Sequence, residues 1–264
     1  MPEGDTIHAA AARLGQALTG AVVERVSGTH PDAARHGARV AGHAVTGVSA
    51  VGKHLLIAFD NGWVVRTHLG MPGSWHLYRP GERWQRSPGA ARVALTTADW
   101  VAVCFAAPTV QIAPAEQVQE RIAHLGPDPL GEDFDPDEVV LRAAAADPDR
   151  TVADLLLDQS VIAGVGNVLK SEILFLEGLH PATPAGALDR GKLLRLAERA
   201  RRLLQANRRP GPRVTTGTPA RGYYLWVAGR SGQPCRRCTT PIEQGWVGDP
   251  PRVTTWCPLC QPED

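Results

Sequence analysis

Pro2 and Glu3 are the first residues of this chain whose types and order can do chemistry. Removal of the initiating Met1 is favoured before a small residue, and Pro2 would then carry a free secondary α-amine. An ordinary α-amine titrates near ~8, so a sizeable fraction is already a neutral nucleophile at neutral pH. Ile7, Ala10, Ala11, Leu14 and Leu18 recur at helical spacing downstream, which sets Pro2 at a positive helix pole that favours the neutral amine further. Glu3 supplies a carboxyl group for proton transfer, and an amine beside an acid can form a Schiff base with an aldehyde or a sugar C1′. Taken alone, the same residues also read as an initiation context with Pro2 an ordinary first helical residue.

The tail carries the second chemical signal. Cys235 and Cys238 form one CxxC pair and Cys257 and Cys260 another, with eighteen residues between the pairs. That spacing predicts a four-thiolate zinc ribbon, with rubredoxin-like iron the alternative. Four protein ligands leave no open coordination position, so one structural ion is expected rather than a catalytic one. Arg252 lies at the tip of the intervening hairpin. The fifth cysteine, Cys104, sits in the apolar run Val101-Ala102-Val103-Cys104-Phe105 and reads as a buried strand residue.

The formal net charge of +1 hides an asymmetry. Between Arg190 and Arg237 stand thirteen Lys/Arg against Glu198 alone, leaving fifteen basic and twenty-six acidic residues elsewhere, so the segment is +12 and the remainder −11. This reads as a phosphate-facing stripe or as a solvated helix face. No apolar run reaches the ~18 residues of a membrane span, and no secretory signal is visible, so a cytoplasmic protein without membrane association is expected.

The elements that position these residues fall into two halves. Strand-like runs cover 22–26, 45–51, 55–59, 63–67, 93–96 and 100–105, with Asp60-Asn61-Gly62 a tight-turn signal. Residues 1–122 therefore read as one helix on a mostly antiparallel β-sandwich or barrel. Residues 123–149, rich in proline and acid, read as a linker with a short helix from Pro136 to Ala146. From Thr151, whose S/T-x-x-acid relation to Asp154 marks a helix start, the chain turns helical. A Gly-rich break at Gly164-Val165-Gly166-Asn167 separates two helices, with Asn167 expected at the second helix's cap and free N–H groups there for a phosphate. A plain helical hairpin is the alternative. A third helix is expected over 188–207. The domains are thus 1–122, the linker 123–149, a helical domain over 150–212 and a zinc ribbon over 213–264, an α+β architecture.

Together these stretches resemble the formamidopyrimidine-DNA glycosylase and endonuclease VIII family over nearly the whole chain. The resemblance is carried by Pro2-Glu3-Gly4-Asp5-Thr6, Gly52-Lys53-His54-Leu55, His68-Leu69-Gly70-Met71, the run from Leu157 to Asn167, and the cysteine tail. The opening and Tyr223-Tyr224-Leu225-Trp226-Val227 are closer to the endonuclease VIII branch, in its actinobacterial form. The resemblance implies a helix-two-turn-helix domain and a bacterial, nucleoid-associated repair enzyme acting as a monomer on damaged double-stranded DNA, with single-stranded or bubble DNA left open. It implies that Pro2 attacks C1′, that Glu3 protonates the sugar ring oxygen, and that Lys53 holds a phosphate and assists elimination. It further implies that Asn167, Gly164 and Gly166 grip phosphates flanking a flipped nucleotide, that Arg252 binds phosphate and assists β,δ-elimination, and that His68 supports the lesion strand. No organic cofactor is expected, since no Gly-rich phosphate loop precedes a suitable helix.

Departures from the family pattern bear on specificity. Met71 suits a wedge into the stack, but Gly70 and Pro72 stand where larger wedge residues occur, and Ala106-Ala107-Pro108 replaces an Arg-Phe pair. Thr6 replaces an acid. Residues 216–222 are too few for the long loop that covers a flipped 8-oxoguanine, which favours oxidised pyrimidines or abasic sites. The remaining readings are an abasic-site lyase with little glycosylase activity and a non-catalytic zinc-ribbon nucleic-acid binder.

Overall fold

The computed structural model describes residues 2–209 and 211–263, so Met1, whose removal is expected above, lies with Pro210 and Asp264 outside the described residues. The chain folds as two compact units, one of Pro2 and residues 6–124, the other of residues 3–5 and 125 onward.

The first unit is a helix on two four-stranded antiparallel sheets. Helix α1 (Gly4–Leu18) places Ile7, Ala11, Leu14 and Leu18 at a 3–4 residue period, and all four are buried. It is followed by β1 (Arg25–Ser27), α2 (Pro31–His36), β2 (Val45–Val51), β3 (His54–Phe59), β4 (Trp63–His68), β5 (Ser74–Tyr78), β6 (Ala91–Thr96), β7 (Val101–Phe105), β8 (Thr109–Pro114) and α3 (Ala115–Ile122). One sheet runs β1-β6-β7-β5 and the other β2-β3-β4-β8. Leu55, Ile57 and Val65 of one sheet and Val93, Leu95, Ala102 and Cys104 of the other join the α1 residues in a single core cluster. Cys104 is buried as expected, and burial pushes its thiol up to about 12. The Asp60-Asn61-Gly62 turn forms between β3 and β4, with Gly62 at φ +78° and Asn61 Oδ1 accepting from the Trp63 N–H at 3.2 Å. The run 22–26 departs from expectation: Val22 makes only an isolated bridge to Ala44, and β1 begins at Arg25. Strands β5 and β8 are absent from the sequence reading: Ser74-Trp75-His76-Leu77 and Thr109-Val110-Gln111-Ile112 alternate polar and apolar residues, but each run is short and flanked by prolines.

The second unit is helical. It contains α4 (Pro136–Ala144), α5 (Val152–Leu157), α6 (Asn167–Glu177), α7 (Arg190–Ala206) and the hairpin β9 (Glu243–Val247)–β10 (Arg252–Trp256). Residues 123–149, read above as a linker with a short helix from Pro136 to Ala146, hold that helix as α4, and its Val139, Val140 and Ala143 enter the same core as Leu169, Ile173, Ala197 and Ala200. Pro136 at the first helical position and Asp135 as N-cap start that helix, and the buried stripe behind them outweighs the loop-like composition. Thr151 caps α5 by accepting from the Asp154 N–H at 3.1 Å. Helix α6 is capped by Gly166 rather than by Asn167, which is its first helical residue.

Many side chains of the basic segment have partners within their own unit. On α7, Arg190 pairs with Asp137, Arg199 and Arg195 with Glu177, and Arg202 with Glu198, while Arg201 donates to Phe134 O. Arg213 is taken by Asp5, and Arg230 and Arg236 donate to backbone carbonyls. Much of the +12 therefore organises the unit itself; Arg208, Arg209 and Arg221 are exposed. Among the described residues no helix is long and apolar enough to cross a membrane.

Candidate active site

In the second unit the carboxylate of Glu3 occupies the N-terminus of α6. Its Oε1 accepts from the Val168 N–H at 2.9 Å, and its Oε2 from the N–H groups of Gly166 at 3.1 Å and Leu169 at 3.2 Å. These are donors that a helix start leaves unpaired, and the dipole there favours an anion. The phosphate expected at this cap is thus replaced by the protein's own carboxylate. Glu3 is 0% exposed. The approach is close because residue 166 lacks a side chain: a Cβ there would lie 2.6 Å from Glu3 Cδ and Cγ. The neighbouring Gly4 N–H donates to Gly164 O at 2.9 Å, so Gly164 and Gly166 serve the N-terminal segment directly.

Arg213 completes this anchorage. Its Nε and Nη2 each lie 2.6 Å from the two carboxylate oxygens of Asp5, a bidentate pair, and its Nη1 lies 3.7 Å from Glu3 Oε1. Burial opposes the guanidinium's charge, but Asp5, Glu3 and Glu172 together raise its pKa above the ordinary arginine value. Glu172 is a second fully buried carboxylate, accepting from the N–H groups of Trp226 at 2.8 Å, Val227 at 2.9 Å and Ala228 at 2.8 Å. It ties α6 to the segment leading into the cysteines. Sequence reading missed Asp5, Arg213, Glu172 and Lys170 as site-building residues. The available signal was the polar run Lys170-Ser171-Glu172 between Leu169 and Ile173, on a helix that is apolar both before and after it.

Pro2 is half-buried and directly precedes Glu3, at the N-terminal pole of α1. Asn167 faces the hairpin, its Nδ2 donating to Val253 O at 2.7 Å. Arg252, the first residue of β10, is exposed.

In the first unit, Lys53 follows β2 in the two-residue turn Gly52-Lys53 before β3, and is half-buried. His68, at the end of β4, pairs across the sheet with His54, their rings 5.1 Å apart. Arg66 Nη1 stands 3.2 Å from His54 Nδ1, and its Nε donates to Gln111 Oε1 at 2.8 Å. Burial holds the His54 pKa down at about 3, reinforced by the positive charges of His68, Arg66, His124 and Lys53. His68 is lowered by burial, then by Lys53 and Arg66. Both imidazoles are accordingly neutral beside the lysine. Met71 is 75% exposed on a turn closed by the Gly73 N–H to Leu69 O at 2.9 Å, so it lies outside the core.

This arrangement has a consequence in acid. The unfolded chain protonates His54 near ~6.5, whereas the folded unit does so only near 3. Folded-state stability contributed here is present above about pH 6.5 and is lost as pH falls from there toward 3. Urea midpoints of wild type and His54→Asn should converge as pH drops through that window. Parallel pH curves would contradict the assignment.

The four tail cysteines converge. All four sulfurs lie within 4.8 Å of one another, with Cys238–Cys257 at 3.4 Å, Cys238–Cys260 at 3.5 Å and Cys235–Cys260 at 4.0 Å. These are far outside a disulfide bond and near the ~3.8 Å separation that tetrahedral ligands at ~2.3 Å from an ion require. The Arg237 N–H points at Cys235 Sγ at 3.4 Å, as expected around a thiolate. The residues fit a four-coordinate metal.

Comparison with known proteins places this architecture. Residues 1–109 match the formamidopyrimidine-DNA glycosylase N-terminal domain, and residues 125–215 the formamidopyrimidine-DNA glycosylase H2TH domain. The chain is 44% identical to "Probable endonuclease 8 2" of Streptomyces coelicolor, covering 99% of this chain and 94% of that protein. It is 40% identical to a DNA-(apurinic or apyrimidinic site) lyase of Mycolicibacterium smegmatis, covering 99% of each. Among solved structures, Lactococcus lactis formamidopyrimidine DNA glycosylase on abasic-site DNA superposes with a TM-score of 0.83 at 22% identity, covering 99% of this chain and 100% of that one. The chain belongs to the formamidopyrimidine-DNA glycosylase and endonuclease VIII family.

Proposed function

We propose that this protein is a bifunctional DNA glycosylase and abasic-site lyase of base excision repair, acting through its N-terminal proline. The observation that carries the reading is the seating of Glu3: a fully buried carboxylate, next in sequence to Pro2, fixed by the α6 N-terminus. In this mechanism the Pro2 nitrogen attacks C1′ of the damaged nucleotide. The glycosidic bond breaks and the base leaves with the bonding pair, taking a proton from water, while Glu3 passes the proton shed by the amine to the sugar ring oxygen and the C1′–O4′ bond opens. The resulting iminium acidifies C2′, so loss of a proton there expels the 3′ phosphate. A second elimination expels the 5′ phosphate, and hydrolysis frees the amine.

Lys53, close to the Arg66 guanidinium and the neutral imidazoles of His54 and His68, serves a phosphate beside the lesion and assists elimination. Neutral His68 supports the lesion strand. Asn167, whose side-chain amide spends one N–H on Val253 O and keeps a second, holds a flanking phosphate, and Arg252 binds phosphate and assists the last elimination. Met71, exposed on its turn, enters the stack where the nucleotide leaves. Flipping costs a few kcal/mol, least at a damaged or mispaired base. The four cysteines would hold zinc, which when bound braces the hairpin bearing Arg252 and takes no part in the chemistry.

Oxidised pyrimidines are the favoured substrates. The segment 215–224 closes on itself through the Thr215 N–H to Tyr224 O at 2.8 Å, which leaves a short turn rather than a long cover for a flipped purine. The test is incision of labelled duplexes carrying an oxidised pyrimidine, 8-oxoguanine or a pre-formed abasic site. Base release from the pyrimidine duplex, with phosphate left on both sides of a one-nucleotide gap, is expected. Cleavage of the abasic duplex without base release would reduce the activity to a lyase. No turnover of any of the three duplexes would leave a nucleic-acid binder.

A further inference from the structure

Lys170 on α6 is 0% exposed, and the reaction proposed above gives it no role. Among the described residues no carboxylate pairs with it directly. Its ammonium donates to Asn167 Oδ1 at 2.9 Å and to Thr254 Oγ1 at 2.6 Å. Burying a lysine without a paired acid is unfavourable, so Met or Leu would fill the same space at lower cost.

The two acceptors explain the lysine. With its oxygen held by Lys170, the Asn167 amide must turn its nitrogen toward β10, and it donates to Val253 O at 2.7 Å. With a lone pair of Thr254 Oγ1 taken by Lys170, the hydroxyl's own proton goes to Arg252 O at 3.0 Å. A single ammonium thus sets the direction of both groups that fix the 252–253 backbone against α6.

We propose that Lys170 is a positioning residue for DNA phosphate: charged, it orients Asn167 and the backbone of Arg252 for one phosphodiester, whose binding in turn favours the charged lysine. This rests on the DNA-binding reading above. The groups facing the ammonium are Asp154 of α5 and Glu3, which favour its charge, and Arg252 of β10, which opposes it. Burial outweighs them and brings the Lys170 pKa down to about 8.

Binding and stability then move in opposite directions. An arriving phosphate takes up a proton at Lys170, so affinity falls as pH rises through about 8. For folding, the unfolded lysine keeps its proton to ~10.4, so between about 8 and that value the unfolded chain binds more protons. The lysine's contribution to stability therefore rises with pH in that window. A merely structural lysine would move affinity and stability together.

The experiment uses the full-length, metal-loaded protein and a duplex carrying a tetrahydrofuran abasic analogue. Kd and urea midpoints are measured in parallel between about pH 7 and about pH 9.5. Wild-type affinity should fall about tenfold over that range while the wild-type-minus-K170M difference in urea midpoint shifts in wild type's favour. K170M should bind about tenfold more weakly at neutral pH and lack that fall. K170R, charged throughout, should bind tightly and also lack it. T254V should weaken binding while retaining the fall, which keeps the test decisive if K170M does not fold. A K170R profile identical to wild type would overturn the proposal. A wild-type protein that binds no duplex would overturn the DNA-binding reading, and the proposal with it.

Discussion

Replacing Gly166 by alanine is expected to lower single-turnover release of an oxidised pyrimidine at least about a hundredfold, the cost of a catalytic group displaced by about an ångström. The Cβ would sit 2.6 Å from Glu3 Cδ and Cγ and 2.7 Å from Glu3 Oε1, closer than carbon atoms pack. Glu3 is 0% exposed and cannot swing aside. Either the carboxylate leaves the α6 N-terminus or the helix start retreats, and both lose the N–H contacts at 2.9–3.2 Å. The φ of residue 166 is extended, so the penalty is steric contact rather than backbone strain. Borohydride trapping on a pre-formed abasic site should stay within a few-fold of wild type, since imine formation there needs no ring-oxygen protonation. Base release close to the wild-type rate would show that Glu3 needs no such seat.

Stripping the metal should abolish DNA binding while leaving the first unit folded. Four-thiolate sites contribute on the order of 10 kcal/mol, and a two-stranded hairpin has little stability of its own. The small core beside it consists of Phe175, Val227, Ile242 and two of the ligands themselves, Cys235 and Cys257. Without the ion, thiolates within 4.8 Å of one another repel, and β10 loses its register against Asn167 and Lys170. Metal content, duplex affinity and the unfolding of the first unit should be followed together during chelation. Full loss of one ion per chain with unchanged affinity would refute this role for the hairpin.

How far the sequence carries depends on whether a feature is local. The α1 stripe, the Asp60-Asn61-Gly62 turn, the Thr151 cap and the paired CxxC knuckles are set by neighbours a few residues apart, and all four are present. Within the proline- and acid-rich stretch 123–149 the helix from Pro136 is present as expected, but composition hid its burial: Val139, Val140 and Ala143 pack into the core. Charge counting is likewise blind to partners remote in the chain. Arg190, Arg199 and Arg213 look available to phosphate in sequence, but each meets a carboxylate remote in the chain. Glu3 itself was legible as an acid beside an amine. Its partner was not, because the donors are backbone N–H groups more than 160 residues away, which carry no side-chain signature.

The central claim is that the Pro2 nitrogen is the nucleophile, and one residue added and retained before it tests this most directly. The addition converts that nitrogen into an amide with no nucleophilic lone pair and leaves every other side chain in place. Wild-type protein, incubated with abasic-site duplex and borohydride, should form a covalent complex, because borohydride reduces an imine but not a non-covalent contact. The extended protein should bind the same duplex with little change and yield no covalent complex. If it is trapped as efficiently as wild type, the nucleophile is another amine, with Lys53 first in line, and the assignment of Pro2 is wrong.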